Sequence, residues 1–280
     1  MWNEWGGEML LKTNAKRETI GQVRFIHNFV SLGPVRLNVI VYEVDGVLID
    51  TGSIKVIRFL QPFFEEVQAE QVVITHSHED HTGGAAFIQQ KYGIPIYMNE
   101  KSIAHCKEKA TYPLYRKVFW GKRPPFEAKP IDDTFTSRTA HWQVIHTPGH
   151  AADHLSFLNE QTGQLFSGDL YVHPETKVIL QEESIPTIIQ SIKRILQYDF
   201  KEMFCCHAGY VANGREAFEQ KLRYLENLQG KVLTLHEKGS SVKEIQQRIF
   251  TKSYPITKLS LGEWDSKHII TSIIQDAKRG

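Results

Sequence analysis

Cysteine is scarce in this sequence: only three occur among 280 residues, and two of them, Cys205 and Cys206, are adjacent. An odd number with this spacing argues against a disulfide framework and favours a reducing compartment. Long apolar runs are missing as well, since none approaches the roughly 18–20 residues of a membrane span. The segment Met1–Gly7 also lacks the apolar stretch of a secretory signal. We therefore expect a cytoplasmic protein without a membrane partner.

An excess of charge of one sign is absent too. The 33 Lys and Arg residues nearly balance the 32 Asp and Glu residues, which leaves a formal net charge of +1. Such a balance gives the whole chain no electrostatic reason to bind nucleic acid or a membrane surface. Hydrophobic residues make up 41% of the sequence and charged residues 23%, as in ordinary globular proteins. A chain of this length can form one large domain, or a domain with an appendage.

Strand and helix patterns alternate over the first part of the chain. Continuous apolar runs predict buried strands, and apolar residues at helical spacing predict amphipathic helices between them. We predict strands at residues 37–44, 47–49, 71–75, 94–98, 142–145, 155–158, 164–166 and 202–206. We predict helices at residues 56–67, 83–92 and 185–196. This mixture is typical of a layered α/β protein.

From about Arg215 onward, helical patterns dominate. Ser240 or Ser241 is placed to cap a helix, and the apolar residues from Ile269 to Ile274 predict a last helix. We therefore divide the chain into a first domain at residues 1–212 and a helical C-terminal appendage at residues 213–280. The appendage serves either to pack on the core or to form a homodimer.

The most informative motif is the string from Thr75 to His81, which reads Thr-His-Ser-His-Glu-Asp-His and follows an apolar run. Imidazole nitrogens and carboxylate oxygens are the ligands that Zn²⁺ and similar divalent ions prefer. Four further apolar runs each lead into a His or Asp residue. These residues are Asp50, His150, Asp169 and His207. Because the ends of the strands share an edge of a layered sheet, we expect these side chains to converge with the string.

This pattern resembles the metallo-β-lactamase-fold hydrolases, and in particular their glyoxalase-II-like and lactamase-β-like branches. The family's signature motifs occur in order over residues 20–212: the Asp50 turn, the motif His76–His81, then His150, Asp169 and His207. The resemblance implies a four-layer αβ/βα sandwich with a two-metal site along one edge, followed here by the helical appendage. It also implies the ligands. One ion would be held by His76, His78 and His150, the other by Asp80, His81 and His207, with Asp169 as the bridge.

The chemistry of these residue types agrees with a hydrolase. Two ions about 3.5–4 Å apart can share a hydroxide, because metal binding lowers the pKa of water to near neutrality. Asp80 can hold an ion through one oxygen and orient the nucleophile or carry a proton with the other. We therefore expect Asp80 and Asp169 to be catalytic. Zn²⁺ is the default ion, and the ligand set also suits Fe or Mn.

Departures from the family patterns narrow the substrate. The β-lactamases with a Cys-containing metal site carry cysteine where this chain has Asp169, so antibiotic hydrolysis is disfavoured. The acyl-homoserine lactonases place tyrosine where this chain has Val172, with Tyr171 one residue early. The segment from Thr147 to His154 resembles the glyoxalase-II-like and lactamase-β-like branches, the second of which includes an endoribonuclease with a helical tail. Persulfide dioxygenases, which use one iron, share the same segment.

Other residues are expected to support the site or bind the substrate. Asp50, Asp153 and His154 are candidates for orienting the ligands. The insertion at about residues 101–129 holds eight basic and two acidic residues with interleaved aromatics, which suits an anionic substrate. The candidate substrate contacts are Arg116, Lys117, Trp120, Lys122, Arg123 and Tyr171.

The sequence therefore predicts a dinuclear metal-dependent hydrolase with a metal-bridging hydroxide. Thioester or related carboxylic-ester hydrolysis of a small, anionic molecule is the leading interpretation. The second is endoribonuclease or phosphodiesterase activity, which would make nucleic acid the partner. Iron-dependent persulfide dioxygenation is the third. A non-catalytic scaffold comes last, because all seven ligands are present.

Overall fold

Two β-sheets face each other in the computed structural model, which describes residues 11–279; the segment Met1–Gly7 lies outside them. The first sheet has seven strands in chain order: β1 (Lys12–Ile20), β2 (Val23–Leu32), β3 (Val35–Val44), β4 (Val47–Ile49), β5 (Gln71–Val73), β6 (Ile96–Met98) and β7 (Lys129–Pro130). The second has six, in the order β14 (Gly209–Val211), β13 (Glu202–Cys205), β11 (Gln164–Gly168), β10 (Leu155–Asn159), β9 (His141–His146) and β8 (Thr134–Thr136). A two-stranded sheet pairs β12 (Ile179–Leu180) with β15 (Trp264–Asp265).

Alternation of side chains along each strand produces the layers. In β3, Val39 and Val41 pack against the outer helices, whereas Ile40 and Tyr42 belong to the core between the sheets. This is the period of two that a pleated strand imposes. Aromatic rings fill the core between the sheets, and the Tyr42 ring meets Phe166 edge-on at a centroid distance of 5.4 Å.

Helices cover both outer faces. The first sheet carries α1 (Ile57–Val67), α2 (Glu79–Thr82), α3 (Ala85–Tyr92), α4 (Glu100–Lys107) and α5 (Leu114–Trp120). The second carries α6 (Ile185–Ile195), α7 (Gly214–Glu237), α8 (Val242–Ile249) and α10 (Ser266–Ala277), whereas α9 (Pro255–Leu259) packs Ile256 and Leu259 against the helices of the first sheet. The fold class expected from the sequence, a four-layer αβ/βα sandwich with C-terminal helices, is confirmed.

The C-terminal helices share a core with the sandwich. Ile192 of α6, Leu225 of α7 and Ile273 of α10 are fully buried members of one apolar cluster. Ser241 caps α8 through a reciprocal capping box with Glu244, as the sequence predicted for this serine. No helix within residues 11–279 is both long and apolar enough to span a bilayer.

Several elements were not predicted from the sequence, among them β7, β8 and β14, and two further omissions affect the architecture. The hairpin of β1 and β2 was not predicted, because β1 is the outermost strand and lacks buried residues. The pair β12–β15 was not predicted either, because its two strands have two residues each and lie far apart in the sequence. This pair joins the appendage to the segment that leads into α6.

Five strands end at one edge of the sandwich: β4, β5, β9, β11 and β13. The strands β4 and β5 run parallel in the first sheet, and β11 and β13 run parallel in the second. The sheets are also joined at this edge, where Leu155 N donates to the carbonyl oxygen of Thr75 at 2.8 Å. The residues that follow these strands are therefore brought together from both sheets.

Candidate metal centre

Three histidines meet at this edge with their ring nitrogens close together. Nδ1 of His78 lies 3.1 Å from Nε2 of His76 and 3.0 Å from Nε2 of His150. Nitrogens bound tetrahedrally to one Zn²⁺ at about 2.0–2.1 Å would lie about 3.3 Å apart. The three imidazoles therefore have the spacing that one ion requires.

A second group lies beside the first. Oδ2 of Asp80 is 3.7 Å from Nε2 of His81 and 3.7 Å from Nε2 of His207. All three ligand atoms lie within 4.8 Å of one another, and all three side chains are buried or nearly so. This group offers one oxygen and two nitrogens, a ligand set suited to Zn, Fe or Mn.

Asp169 contacts both groups. Its Oδ2 atom lies 2.8 Å from Nε2 of His207, 3.5 Å from Nε2 of His81 and 3.4 Å from Nε2 of His150. Its other oxygen, Oδ1, is buried and has no hydrogen-bond partner among residues 11–279, and the same holds for Nε2 of His81. Buried polar atoms are rarely left without a partner. A cation between these atoms would satisfy both.

The outer nitrogen of each imidazole is held by the protein. The partners are Thr75 Oγ1 for His76, Glu182 Oε1 for His78, Asp50 Oδ2 for His81, Glu183 Oε2 for His150 and the Asn38 carbonyl oxygen for His207. An acceptor on the outer nitrogen keeps the proton there and leaves the inner lone pair free for a metal. With a cation bound, all five rings could thus present an unprotonated nitrogen to the same space.

The electrostatics of the cluster follow from burial and close charge pairs. Burial alone would lower the pKa of His150, but the adjacent Glu183 carboxylate raises it to about 9. Burial would raise the pKa of Asp169, yet the imidazoles of His207 and His81 hold it well below its usual value. The carboxylate is therefore ionised, and the metal-free His150 ring holds a proton that a bound cation would replace.

Asp50 lies beneath the cluster and connects its parts. Its carboxylate accepts hydrogen bonds from Thr75 N at 2.8 Å, from His81 Nδ1 at 2.8 Å and from Cys206 Sγ at 3.2 Å. Its backbone φ is +61°, in the left-handed region that Asp tolerates better than most residues. The side chain therefore holds the outer nitrogen of His81.

Asp153 and His154 support neighbouring backbone. Oδ2 of Asp153 accepts from the amide of Ser77, between His76 and His78, at 2.9 Å. Nε2 of His154 accepts from the amide of Asp169 at 2.9 Å, and its Nδ1 bonds Thr147 Oγ1 at 2.8 Å. Burial lowers the pKa of His154 to about 3, so the ring stays neutral and can accept this bond.

Four of the five residues that hold the outer nitrogens were not predicted in that role: Thr75, Glu182, Glu183 and Asn38. Both glutamates follow β12 and hold outer nitrogens of His78 and His150. Asn38 acts mainly through its backbone, because its carbonyl oxygen accepts from His207 Nδ1. The pair Glu182–Glu183 is a sequence signal that could have been examined, whereas a backbone carbonyl leaves no signal in a sequence.

Two clefts open beside the cluster. A polar cleft of about 480 Å³ contains His78 and Asp153, and an apolar cleft of about 230 Å³ contains Asp80 and His207. Arg116 borders both, and Trp120 lines the apolar one.

Three of the residues expected to contact substrate lie in other surroundings. They are Arg116, Arg123 and Tyr171. Arg116 donates two hydrogen bonds of 2.7 Å to the Glu79 carboxylate. Arg123 is only 2% exposed, and its guanidinium donates to carbonyl oxygens, including that of Cys106 near the end of α4 at 2.8 Å. The buried ring of Tyr171 packs against Phe218 at 5.6 Å. Their polar groups and surfaces are therefore largely occupied within the protein.

Lys117 and Lys122 complete the candidate set. The ammonium group of Lys117 lies 5.8 Å from the centroid of the Tyr112 ring, and Lys122 is exposed. Neither residue lines either cleft. Trp120 is therefore the one of the six that faces the apolar cleft without an internal polar role.

Fold and site together define the class of protein: a sandwich of two sheets with a candidate metal centre at one edge. The chain belongs to the metallo-beta-lactamase superfamily, because residues 32–207 match the sequence profile of that family.

Individual relatives agree with this membership. The chain is 31% identical over 129 residues to the thioesterase pkgB of Emericella nidulans, covering 44% of this chain and 32% of that protein. It is 25% identical over 221 residues to the beta-lactamase-like protein 2 homolog of Caenorhabditis elegans, covering 74% and 68%. A beta-lactamase domain protein from Burkholderia ambifaria has the same fold, with a TM-score of 0.68, 16% identity and coverage of 94% and 88%. The chain spans less than half the length of several curated relatives that it matches.

Proposed function

We propose that this protein is a hydrolase that binds two divalent ions, by default Zn²⁺, and acts on thioesters or related carboxylic esters. One observation carries the proposal. Five imidazoles turn inner nitrogens toward a space bordered by Asp80 and Asp169, while their outer nitrogens are held by acceptors. We assign His76, His78 and His150 to one ion and Asp80, His81 and His207 to the other, with Asp169 between them.

The groups around this space would have different roles in hydrolysis. Bound ions would lower the pKa of a water molecule to near neutrality and polarise the substrate carbonyl. Oδ2 of Asp80 faces His81 and His207, which leaves Oδ1 to orient the attacking water and to accept its proton. The water oxygen adds to the acyl carbon, the bond from carbon to sulfur breaks, and the sulfur leaves with the electron pair and takes up that proton.

The surroundings favour an acyl substrate over a phosphodiester. An RNA-cleaving site needs cations free to meet phosphates. In the basic insertion, Arg116 is bound to Glu79 and Arg123 to backbone carbonyls. Lys117 and the exposed Lys122 line neither cleft beside the cluster. The similarity to a relative named as a thioesterase supports the same choice.

Metal analysis and a substrate panel test the proposal. We expect about two Zn per chain, and turnover of thioesters that exceeds turnover of phosphodiesters such as bis(p-nitrophenyl) phosphate. The matched variants are Asp80→Asn, which removes the proton acceptor, and Asp199→Asn at an exposed position. One bound Fe with oxygen consumption on persulfides would contradict the proposal, as would RNA cleavage without thioester turnover.

A further inference from the structure

The apolar cleft beside Asp80 and His207 has a composition unlike the rest of the site. Its walls include the side chains of Phe119, Trp120, Leu180 and Trp264. Phe119, Trp120 and Leu180 are buried members of the surrounding structure, whereas Val172 at its border is 39% exposed. An apolar wall next to the proposed metal ligands has no role in holding ions.

Separate parts of the chain build this cleft. Phe119 and Trp120 come from α5, in the insertion, and Leu180 pairs with Trp264 across the β12–β15 ladder. The ladder brings a residue of the C-terminal appendage next to the metal centre. The appendage is therefore part of the wall of the site.

Arg116 separates this cleft from the polar one. Its guanidinium is bound on one side to Glu79 and lies 3.4 Å from Glu263, next to Trp264. The apolar cleft extends from the Asp80–His207 side of the cluster and the polar cleft from the His78 side. A substrate whose reacting carbonyl sits at the cluster would thus place two chemically different ends in two different clefts.

We infer that the apolar cleft binds the acyl group of the substrate and selects a compact acyl group, either a single ring or a short branched chain. The inference rests on the proposed function. An engineered protein cavity of 150 Å³ holds a benzene molecule, so a cleft of about 230 Å³ accommodates one ring with its carbonyl. The polar cleft of about 480 Å³ receives the thiol portion.

The first experiment measures binding without turnover. Trp120 and Trp264 line the cleft, so its occupation should change the intrinsic fluorescence of the metal-free protein. Cyclohexanecarboxamide is a neutral, transparent probe of the acyl group, and acetamide is its matched control. We expect the cyclic amide to bind at least about 10-fold more tightly, in line with the added apolar contact. Equal binding of the two amides, or none, would overturn the inference.

The second experiment fills the cleft. Val172 has a φ of +53°, which is unusual for a β-branched residue. The substitution Val172→Phe adds a ring to the cleft and removes the β-branching at this position. For thioesters of N-acetylcysteamine, we expect the kcat/KM ratio of cyclohexanecarbonyl to acetyl substrate to fall at least about 10-fold. Leu114→Phe adds the same ring to α5 at a position 76% exposed and outside the cleft, and should leave the ratio unchanged.

A third variant opens the cleft. Trp264→Ala should raise the kcat/KM of a bicyclic acyl substrate relative to the cyclohexanecarbonyl one, and it keeps the test decisive if Val172→Phe does not fold. An unchanged ratio in both folded variants would contradict the inference.

The proposed function and this inference fail in different ways. If thioesters are not hydrolysed but the cyclic amide binds selectively, the function is wrong and the cleft remains an apolar ligand site. If thioesters are hydrolysed without acyl preference and the amides do not bind, the function stands and the inference is wrong.

Discussion

Glu183 connects a proposed metal ligand to the small sheet: its Oε2 accepts a hydrogen bond from His150 Nδ1 at 3.0 Å, and its Oε1 accepts from Leu180 N at 2.7 Å. The carboxylate is 9% exposed, so both bonds are shielded from water. The orientation of His150 thus depends on β12, and through its pairing with β15 it depends on the C-terminal segment.

Glu183→Gln tests this support. The amide retains the shape of the side chain but loses the charge that stabilises the His150 proton on Nδ1. We expect metal affinity to fall about 10–100-fold, the usual effect of removing such a partner. The measurement is competition for Zn²⁺ with a chromophoric chelator. Glu160→Gln, at an exposed position, should bind zinc as the unaltered protein does, and equal affinity in both variants would refute the role of Glu183.

Asp169→Ala tests the bridge between the two proposed ions. Because Oδ2 of Asp169 faces ligands of both groups, its loss should lower the metal content of both and reduce kcat by at least about 1000-fold. Mass spectrometry of metal content and thioester kinetics check the two effects separately. Full activity with two bound ions would show that Asp169 is not the bridge.

The buried ion pair of Glu79 and Arg116 should contribute to the free energy of unfolding. Glu79 is 2% exposed and Arg116 12% exposed at the side chain, so removing one partner leaves a charge buried without compensation. We expect Arg116→Met to lower the free energy of unfolding by about 3–5 kcal/mol. Restoring neutrality in Glu79→Gln/Arg116→Met should recover part of that loss. The measurement is urea unfolding of the metal-free protein.

A surface pair provides the control for this cycle. Arg17 and Glu66 lie 2.7 Å apart at side chains 42% and 57% exposed, and Arg17→Met should cost less than about 1 kcal/mol. If Arg116→Met and Arg17→Met cost the same, the buried pair does not stabilise the site.

The buried Lys221 of α7 should make the free energy of unfolding depend on pH. It is buried and donates to the carbonyl oxygen of His173 at 3.0 Å, and burial lowers its pKa from 10.5 to about 8. Between these two pH values the unfolded chain keeps a proton that the folded protein releases, so stability rises with pH. Relative to Lys221→Met, the unaltered protein should gain up to about 3 kcal/mol between pH 7.5 and 10.5.

Urea unfolding at several pH values checks this. The matched control is Lys231→Met, which changes an exposed lysine on the same helix and should show no such gain. A difference between the unaltered protein and Lys221→Met that stays constant with pH would contradict the lowered pKa.

The sequence was most informative where strands end. Asp50, His150, Asp169 and His207 each follow an apolar run, and the sheet brings these strand ends together with the His76–His81 motif. The layered fold could be predicted for the same reason, because buried strands appear in the sequence as local apolar runs.

Other features depend on contacts between distant segments. The carbonyl of Asn38 and the ring of His207 are 169 positions apart, and nothing local to either residue predicts their bond. The roles of Arg116 and Arg123 were likewise hidden, because a basic residue in a sequence does not show whether its guanidinium meets solvent, a carboxylate or a carbonyl. Charge composition predicted an anion-binding insertion, whereas the described structure shows these two side chains bound internally.

The pairing of β12 with β15 has a consequence for the order in which the protein matures. During synthesis the segment that carries the proposed metal ligands leaves the ribosome well before Trp264 and α10, and N-terminal parts of a chain tend to fold first. The proposed ligands can therefore come together while one wall of the apolar cleft and the support that β15 gives to β12 are still missing. Docking of the last strand then completes both the cleft and the hydrogen-bonded support of His150.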